Sequence, residues 1–356
     1  MGISRSFMRI YNKLFDKIIE PENLFSAWDE FKKGKGKKLD VLRFEKNLEQ
    51  NIFQLHRDLR DKTYRHGSYT SFYINDPKLR HIHKATVRDR VLHHAVLKVL
   101  NPIFEPVYIH NSFSCRINKG NHKGVETLGH LLRQASKNNT KTCFVLKCDV
   151  RKFFDSIDHD ILIELIQRKT KDKNTINLLE EILTSFAGEQ PTLFKRKGVP
   201  IGNLTSQLFA NVYMNKFDQF IKHNLKVKYY ARYTDDFVIV SEDKDYLEKL
   251  RLPIQLFLKE KLKLELHPSK ISIRKYRHGV DFLGYVILPH HTALRTKTKK
   301  RMMWKLRDKM SEYKNSTIDK ATFLATLQSY LGVLSHADAH KLSQELQNKF
   351  WFWLNQ

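Results

Sequence analysis

Residues 226–241 read KVKYYARYTDDFVIVS, and this stretch decides the fold of the chain. The β-branched and aromatic residues on both sides of its centre predict two strands, Lys226–Arg232 and Phe237–Val240. The hairpin that joins them would present Asp235 and Asp236 at its tip. Aspartate is common in turns because it forms local hydrogen bonds, so the pair alone predicts only a turn. A function for these carboxylates requires another acidic residue beside them in the fold.

A second predicted strand, Thr142–Cys148, is apolar enough for the middle of a sheet and leads directly to Asp149. If it lies beside the hairpin, Asp149, Asp235 and Asp236 converge, and crowded carboxylates repel one another unless a divalent cation binds them. Their hard oxygens favour magnesium or manganese over zinc. Two such ions stabilise the attacking and leaving oxygens in phosphoryl transfer. Taken alone, Asp149 would be interpreted as a turn or capping residue.

The net charge of the chain indicates what kind of partner it binds. Lysine and arginine total 64 against 38 acidic residues, which gives a net charge of +26 and a pI of about 9.8. Such an excess favours binding to a polyanion, so nucleic acid is the expected partner, and with the carboxylates it predicts a polymerase or nuclease. A membrane partner is not expected, because no apolar run approaches the roughly 20 residues that span a bilayer.

The N-terminal sequence and the cysteines favour a cytoplasmic protein. The basic N-terminus lacks the continuous apolar core of a secretory signal, and its Met-Gly start with Ser6 matches a myristoylation pattern only loosely. Cys115, Cys143 and Cys148 form no CxxC motif, which predicts a reducing compartment without disulfides or a zinc cluster. The histidines, including His267, show no metal-binding spacing.

The order of predicted elements indicates an α+β class, because strands and helices mix without regular βαβ alternation. Hydrophobic periodicity predicts helices at Leu24–Phe31, Val41–Leu59, Arg88–Leu100, Val125–Ala135, Thr205–His223 and Tyr246–Leu262, and in the basic segment from Thr296 onwards. Asn101-Pro102 is expected to end the third of these helices, and Asp158 to cap another that follows it. Further strands are predicted at Gly67–Ile74, Arg80–Ile82, Ile271–Ile273 and Phe282–Leu288, with a turn at Asn75-Asp76-Pro77.

Seven motifs follow one another along roughly residues 45–290. They are RHI (80–82) with VRDR (87–90), SFSCR (112–116) with KG (119–120), DVRKFFDSI (149–157), GVPIGNLTSQ (198–207), YTDD (233–236), HPSK (267–270) and DFLGY (281–285). This ordered series resembles that of prokaryotic reverse transcriptases, and one YxDD motif alone would carry little weight. The resemblance implies a right-hand polymerase with fingers, palm and helical thumb. Its regions would be an N-terminal extension with fingers (1–140), a palm with the carboxylates and primer grip (141–290) and a basic thumb (291–356).

Within that family, the chain most resembles the reverse transcriptases of diversity-generating retroelements. It has Ile201-Gly202 where many members have Gln-Gly, and Ser206-Gln207 where they have Ser-Pro; the stretches IGNLTSQLFAN and LGVLSHA (331–337) also resemble that group. An antiphage defence reverse transcriptase that works with a noncoding RNA shares much of the same core and stays an alternative. A third reading is an RNA-binding protein with a vestigial palm, against which the intact set of three aspartates argues.

The resemblance assigns roles to individual residues. Asp149, Asp235 and Asp236, with the main-chain carbonyl of Val150, would hold two Mg²⁺ ions, for which Mn²⁺ could substitute. The incoming nucleotide would contact Arg80, Arg88, Arg116, Phe154, Ile201, Gly202 and Lys270. The primer and its duplex would contact Tyr233, Gly284, Lys297, Lys299, Lys300 and Arg301. The implied partners are an RNA template, a DNA or RNA primer, deoxynucleotides, an associated RNA and either a small accessory protein or a second polymerase subunit.

Three of these assignments have alternatives or consequences. Arg88 and Arg90 flank Asp89, so a structural ion pair competes with a phosphate contact at either of them. Phe154 is expected to act as a steric gate against the 2′-hydroxyl, whereas the adjacent Phe153 is expected in the core. Ile201 supplies contact without a hydrogen bond, which predicts lower fidelity unless it merely packs beneath the fingers.

Overall fold

The computed structural model describes residues 10–76, 78–187 and 196–354. Pro77 of the predicted turn and the myristoylation-like N-terminus lie outside these residues. The α-helices of the described part are α1 (Leu14–Ile19), α2 (Pro21–Lys32), α3 (Leu39–Glu45), α4 (Leu48–Arg60), α5 (Val87–Phe104), α6 (Asn121–Ala135), α7 (Phe153–Ser156), α8 (His159–Gln167), α9 (Lys173–Ala187), α10 (Leu204–Gln219), α11 (Lys244–Leu262), α12 (Thr296–Lys314), α13 (Lys320–Leu334) and α14 (His340–Leu354).

The strands of the described part form three sheets. They are β1 (Thr70–Asn75), β2 (Leu79–Lys84), β3 (Phe144–Asp149), β4 (Tyr229–Tyr233), β5 (Asp236–Ser241), β6 (Ser272–Lys275), β7 (Val280–Phe282), β8 (Tyr285–Ile287) and β9 (Thr292–Leu294). The sheets have the orders β1-β2, β4-β5-β3-β6 and β7-β8-β9. Pairing is antiparallel between β4 and β5 and between β3 and β6. The α+β class is therefore confirmed. The strand ending at Asp149 lies next to the hairpin, which was the condition set for convergence of the three aspartates.

The chain divides into two compact units that alternate along the sequence. The first extends to His110 and continues over Asp149–Val227 and Leu252–Pro268; the second comprises Asn111–Cys148, Lys228–Arg251 and Ser269–Gln356. The division into three contiguous regions made from the sequence stays a prediction. No helix in the described ranges is both long enough and apolar enough to cross a membrane.

The first unit is mainly helical, and ten of the 18 residues of α5, which runs through it, are buried. Thr86 caps this helix by accepting the Asp89 amide. The prediction that Asn101-Pro102 ends α5 is wrong, because the helix continues to Phe104. Proline at this point removes a single backbone hydrogen bond, and the burial of Ile103 (7% exposed) and Phe104 (3% exposed) offsets that loss. The predicted cap at Asp158 is confirmed, since its carboxylate accepts the Ile161 amide at the start of α8.

The second unit holds the four-stranded sheet and two apolar clusters. In the first cluster, buried residues of α6, including Leu128 and Leu132, pack with Val238 of β5 and Phe282 of β7. In the second, α12, α13 and α14 bury one another around Phe323.

Two elements that the sequence predicts as continuous are divided in the structure. The predicted strand Phe282–Leu288 is interrupted at Leu283 and Gly284, whose φ angles of 51° and 91° form a two-residue turn between β7 and β8. The predicted helix Val41–Leu59 is two helices, α3 and α4, separated at Lys46 and Asn47.

Candidate active site

The two adjacent aspartates lie where the sequence places them, at the tip of the β4–β5 hairpin. Tyr233 and Asp236 are the last register partners of the two strands, and Thr234 and Asp235 connect them. We call Tyr233–Asp236 the carboxylate turn; all four of its side chains are half-buried. Thr234 has a φ of 54°, a left-handed conformation that costs a non-glycine residue about 1–3 kcal/mol and requires support from its surroundings.

The support includes a buried arginine that the sequence analysis did not single out. Arg232 is 0% exposed, and its Nη1 donates to the Thr234 carbonyl at 2.9 Å. Its Nη2 donates to Oγ of Ser112 at 3.0 Å, and Thr234 Oγ1 donates to Oγ of Ser114 at 2.6 Å. The available signal was a charged residue inside an apolar strand, since such residues are almost never fully buried without partners.

A second cation missed from the sequence, Lys147 of β3, contacts the carboxylate turn. Its Nζ lies 3.3 Å from Oδ2 of Asp236 and donates to the Asp281 carbonyl at 2.6 Å. The same ammonium lies 5.9 Å from the centroid of the Phe282 ring. Asp281 in turn forms an ion pair with Arg295. The lysine therefore joins one carboxylate of the turn to β7, immediately before the predicted primer grip.

Asp149 is the last residue of β3, the strand next to β5. Its carbonyl accepts the His267 amide at 2.8 Å, and Val150, which is 1% exposed, bridges to Leu266. Asp149, Asp235 and Asp236 have carboxylate oxygens, the donors that magnesium takes, so the donor set fits this ion. Within the described ranges no three His, Cys, Asp or Glu side chains are already grouped as metal ligands. The two-metal site stays a prediction.

The predicted nucleotide-binding arginines have different surroundings. Arg80 is exposed on β2, opposite Ile74. Arg88 pairs with Asp58 at 2.5 Å and lies over the Tyr64 ring. Arg88 thus forms a structural ion pair, but its partner is Asp58 and not the adjacent Asp89 from which the alternative was argued. Its contact with a triphosphate stays a prediction.

Arg90 also forms a structural ion pair, again with a residue other than Asp89. Its Nη2 lies 2.7 Å from Asp40, which Lys84 also contacts at 2.7 Å. Burial alone would raise the pKa of Asp40, but the hydrogen bonds from these two cations lower it to about 2. Arg116 of the second unit is half-buried and donates to the Ser112 carbonyl at 2.8 Å.

Phe154 and Ile201 lie on segments that backbone hydrogen bonds hold in place. Phe154 is half-buried and Phe153 is 2% exposed, both within the short helix α7 rather than in a strand or turn. The Phe154 carbonyl accepts the Val199 amide at 2.9 Å. The Ile201 carbonyl accepts the His83 amide at 3.1 Å, which joins this loop to β2.

The position of residue 202 beside β2 requires a glycine. Its φ is 111°, and a Cβ atom there would lie 2.9 Å from Cγ2 of Ile82. Neither the backbone conformation nor the available space accommodates a larger residue. The chain next to Ile201 is consequently held close to the β1–β2 hairpin.

The predicted nucleic-acid contacts of the second unit lie on two features. Gly284 is in the β7–β8 turn, where its carbonyl accepts the Arg295 amide at 3.0 Å. Three exposed lysines and the half-buried Arg301 begin α12; the lysines are Lys297, Lys299 and Lys300. Lys270 ends a short 3-10 turn, Pro268–Lys270, and is half-buried. Their contacts with nucleotide or primer stay predictions.

Comparison with known proteins identifies the class. The family described as reverse transcriptase (RNA-dependent DNA polymerase) matches residues 74–287, which is more than half of the chain. The chain belongs to this family, and its helices and antiparallel sheets form the fold of a right-hand polymerase. The predicted resemblance is confirmed at the level of the family, and the diversity-generating subtype stays a prediction.

Individual relatives are distant in sequence. The group II intron-encoded protein LtrA of Lactococcus lactis subsp. cremoris is 24% identical over 347 residues, covering 78% of this chain and 57% of that protein. Protein YkfC of Escherichia coli (strain K12) is 28% identical over 246 residues, covering 59% and 64%. The retron Ec83 reverse transcriptase of Escherichia coli is 22% identical over 252 residues, covering 67% and 74%. The chain thus spans 57% of the length of the intron-encoded relative.

Proposed function

We propose that the chain is an RNA-directed DNA polymerase that copies an RNA template into cDNA. The observation that carries this proposal is the carboxylate turn, with Asp235 and Asp236 at the end of one strand pair and the strand that ends at Asp149 next to it. A sheet of this order supports convergence of the three carboxylates. The family match supplies the class of reaction.

The proposed chemistry needs little covalent participation from the protein. Asp149, Asp235 and Asp236, with the Val150 carbonyl, would hold two magnesium ions, which when bound would supply stabilisation of the charge on the attacking 3′-oxygen and on the departing pyrophosphate. The protein positions the reactants. Arg80, Arg116 and Lys270 bind the triphosphate, because guanidinium and ammonium groups complement phosphate oxygens.

Other side chains decide which nucleotide and which strand are accepted. Phe154 lies beneath the sugar and excludes a 2′-hydroxyl. The hydrogen bond from the Val199 amide to the Phe154 carbonyl holds α7 in place for this role. Gly284 and Tyr233 hold the primer end. The exposed lysines at the start of α12 contact backbone phosphates of the duplex, an interaction that weakens as the salt concentration rises.

We further propose that the enzyme is of the error-prone diversity-generating type. The support is Ile201, whose carbonyl accepts a hydrogen bond from His83 of β2. Its half-buried side chain has no hydrogen-bonding group. An apolar group constrains the geometry of the base pair less tightly than an amide would. The partners proposed are an RNA template, a DNA or RNA primer and deoxynucleotides, together with an associated RNA and an accessory protein.

Sequencing of nucleic acid that co-purifies with the protein tests this function. The proposal expects cDNA complementary to a specific RNA, present with wild-type protein and absent with Asp235→Asn. Frequent substitutions in that cDNA support the diversity-generating subtype, whereas accurate copies of one noncoding RNA favour the antiphage type. If the wild-type protein yields no cDNA, even when RNA template, primer and deoxynucleotides are supplied, the proposal that it is a polymerase is contradicted.

A further inference from the structure

The backbone amide and carbonyl of Arg232 both form hydrogen bonds with a segment that is distant in the sequence. Its amide donates to the Asn111 carbonyl at 2.9 Å, and its carbonyl accepts the Phe113 amide at 3.0 Å. These bonds form a parallel bridge between Ser112 and Arg232 beside β4. The SFSCR motif thus lies directly beside the strand that leads into the carboxylate turn, and both segments belong to the second compact unit.

The side chain of Arg232 reaches forward along the chain to the turn. Its two terminal nitrogens donate to different acceptors, the Thr234 carbonyl and the Ser112 hydroxyl. The carbonyl is part of the peptide that joins Thr234 to Asp235. A hydrogen bond to this oxygen fixes the plane of that peptide. It thereby also fixes the direction in which the aspartate side chains project from the backbone.

The side chain of Thr234 forms a second hydrogen bond that holds this residue in place. Thr234 Oγ1 donates to Ser114 Oγ at 2.6 Å, and Ser114 is 4% exposed. Threonine is β-branched and disfavours the left-handed conformation that it adopts here, so these contacts oppose its relaxation to negative φ. Relaxation would rotate the Thr234–Asp235 peptide away from its observed orientation.

We propose that Arg232 is a positioning residue that, with Ser112 and Ser114, holds the carboxylate turn in its metal-binding conformation. Its effect on catalysis rests on the polymerase function proposed above, whereas its effect on the turn does not. Arginine suits this role because its planar fork directs two donors at two separate acceptors, whereas lysine carries its donors on a single atom. The residue acts through Thr234 and needs no contact with nucleotide or primer.

Arg232→Met and Arg232→Lys in the full-length protein test the proposal. We expect Arg232→Met to lower kcat about 100-fold, the loss typical of a misplacement near 1 Å, and to leave the KM for deoxynucleotide within about twofold. The half-activating Mg²⁺ concentration should rise, and amide hydrogen exchange should become faster in the peptide that contains residues 233–236. Arg232→Lys should recover part of each change. Arg168→Met, which removes an exposed arginine paired with Glu164, should change none of them.

A double-mutant cycle keeps the proposal testable if Arg232→Met fails to fold. Ser114→Ala and Thr234→Ala each remove the same 2.6 Å hydrogen bond. We expect the double variant to lose no more kcat than the more impaired single variant, since coupled residues are not additive. Additive losses, or unchanged hydrogen exchange at the turn in these variants, would overturn the proposal.

Asp235→Asn separates failure of this inference from failure of the proposed function. If Asp235→Asn abolishes synthesis while the variants of Arg232, Ser114 and Thr234 keep wild-type kcat and Mg²⁺ dependence, the positioning role is wrong and the polymerase assignment stands. If Asp235→Asn retains full synthesis, the assignment of the carboxylates is wrong. Hydrogen exchange at the turn then still reports whether Arg232 holds its conformation.

Discussion

Lys147 Nζ lies 3.3 Å from Oδ2 of Asp236, so β3 places a cation against one of the proposed metal ligands. The same ammonium donates to the Asp281 carbonyl, two residues before the turn that begins at Leu283. The ion pair is partly exposed, with about a quarter of each side chain accessible. A metal ion bound at the proposed site would therefore compete with the lysine for the same carboxylate oxygen.

Replacement of Lys147 by methionine should make magnesium bind more readily. We expect the half-activating Mg²⁺ concentration to fall about two- to fivefold, because exposed and partly exposed ion pairs contribute roughly 0.2–1 kcal/mol. Lys147→Arg keeps the charge and should resemble the wild type. Titration of polymerase activity with Mg²⁺ measures the effect. A higher Mg²⁺ requirement in the methionine variant would show that the lysine assists metal binding instead.

Phe154→Ala should admit ribonucleotides. Without the ring, no group remains at this position to collide with a 2′-hydroxyl, so incorporation of ribonucleotide relative to deoxynucleotide should rise at least about tenfold, the lower end of discrimination by pocket contacts. Single-nucleotide extension of an RNA-templated primer measures the ratio. Phe53→Ala, at an exposed position of α4, is the matched control. An unchanged ratio would leave Phe154 as a packing residue only.

Ile201→Gln should raise fidelity. The amide adds a hydrogen-bonding group on a loop whose backbone is already fixed to β2, so mispaired nucleotides lose more affinity than correct ones. Sequencing of cDNA copied from one defined RNA should show fewer substitutions than in the wild-type product. Leu39→Gln, on the exposed surface of α3, controls for the change in polarity. Equal error spectra would mean that Ile201 simply packs beneath the fingers.

Acidification should destabilise the protein partly through His93. Burial, together with the adjacent His66 ring, lowers the pKa of His93 to about 3. The unfolded chain, with a histidine pKa near 6.5, binds a proton between about pH 3 and 6.5 that the folded chain does not, so stability falls as the pH decreases through this window. One such group contributes a loss of about 1.4 kcal/mol between pH 7.5 and 5.5.

Urea unfolding at these two pH values measures the contribution. The wild type should lose about 1.4 kcal/mol more than His93→Gln, which cannot take up that proton. His130→Gln, at an exposed position of α6, should lose as much as the wild type. Equal losses in the wild type and His93→Gln would contradict a buried neutral His93.

The hairpin and the strand to Asp149 could be predicted because β-branched and aromatic content, a continuous apolar run and turn chemistry are local signals. The continuation of α5 past Pro102 could not, since it depends on tertiary burial of Ile103 and Phe104. Lys147 and Arg232 were missed for a related reason: their partners Asp281 and Ser112 are 134 and 120 positions away in the sequence. Spacing within a motif carries no information about such contacts.

The most direct test of the central claim is RNA-templated primer extension by Asp235→Asn. With an RNA template, a DNA primer, deoxynucleotides and Mg²⁺, the wild-type protein should extend the primer. Asp235→Asn should give no extension above background while it keeps the thermal stability and the primer–template affinity of the wild type. Asp29→Asn, at an exposed position of α2, should extend normally. Wild-type extension by the purified Asp235→Asn protein would contradict the assignment of the carboxylate turn as the catalytic centre.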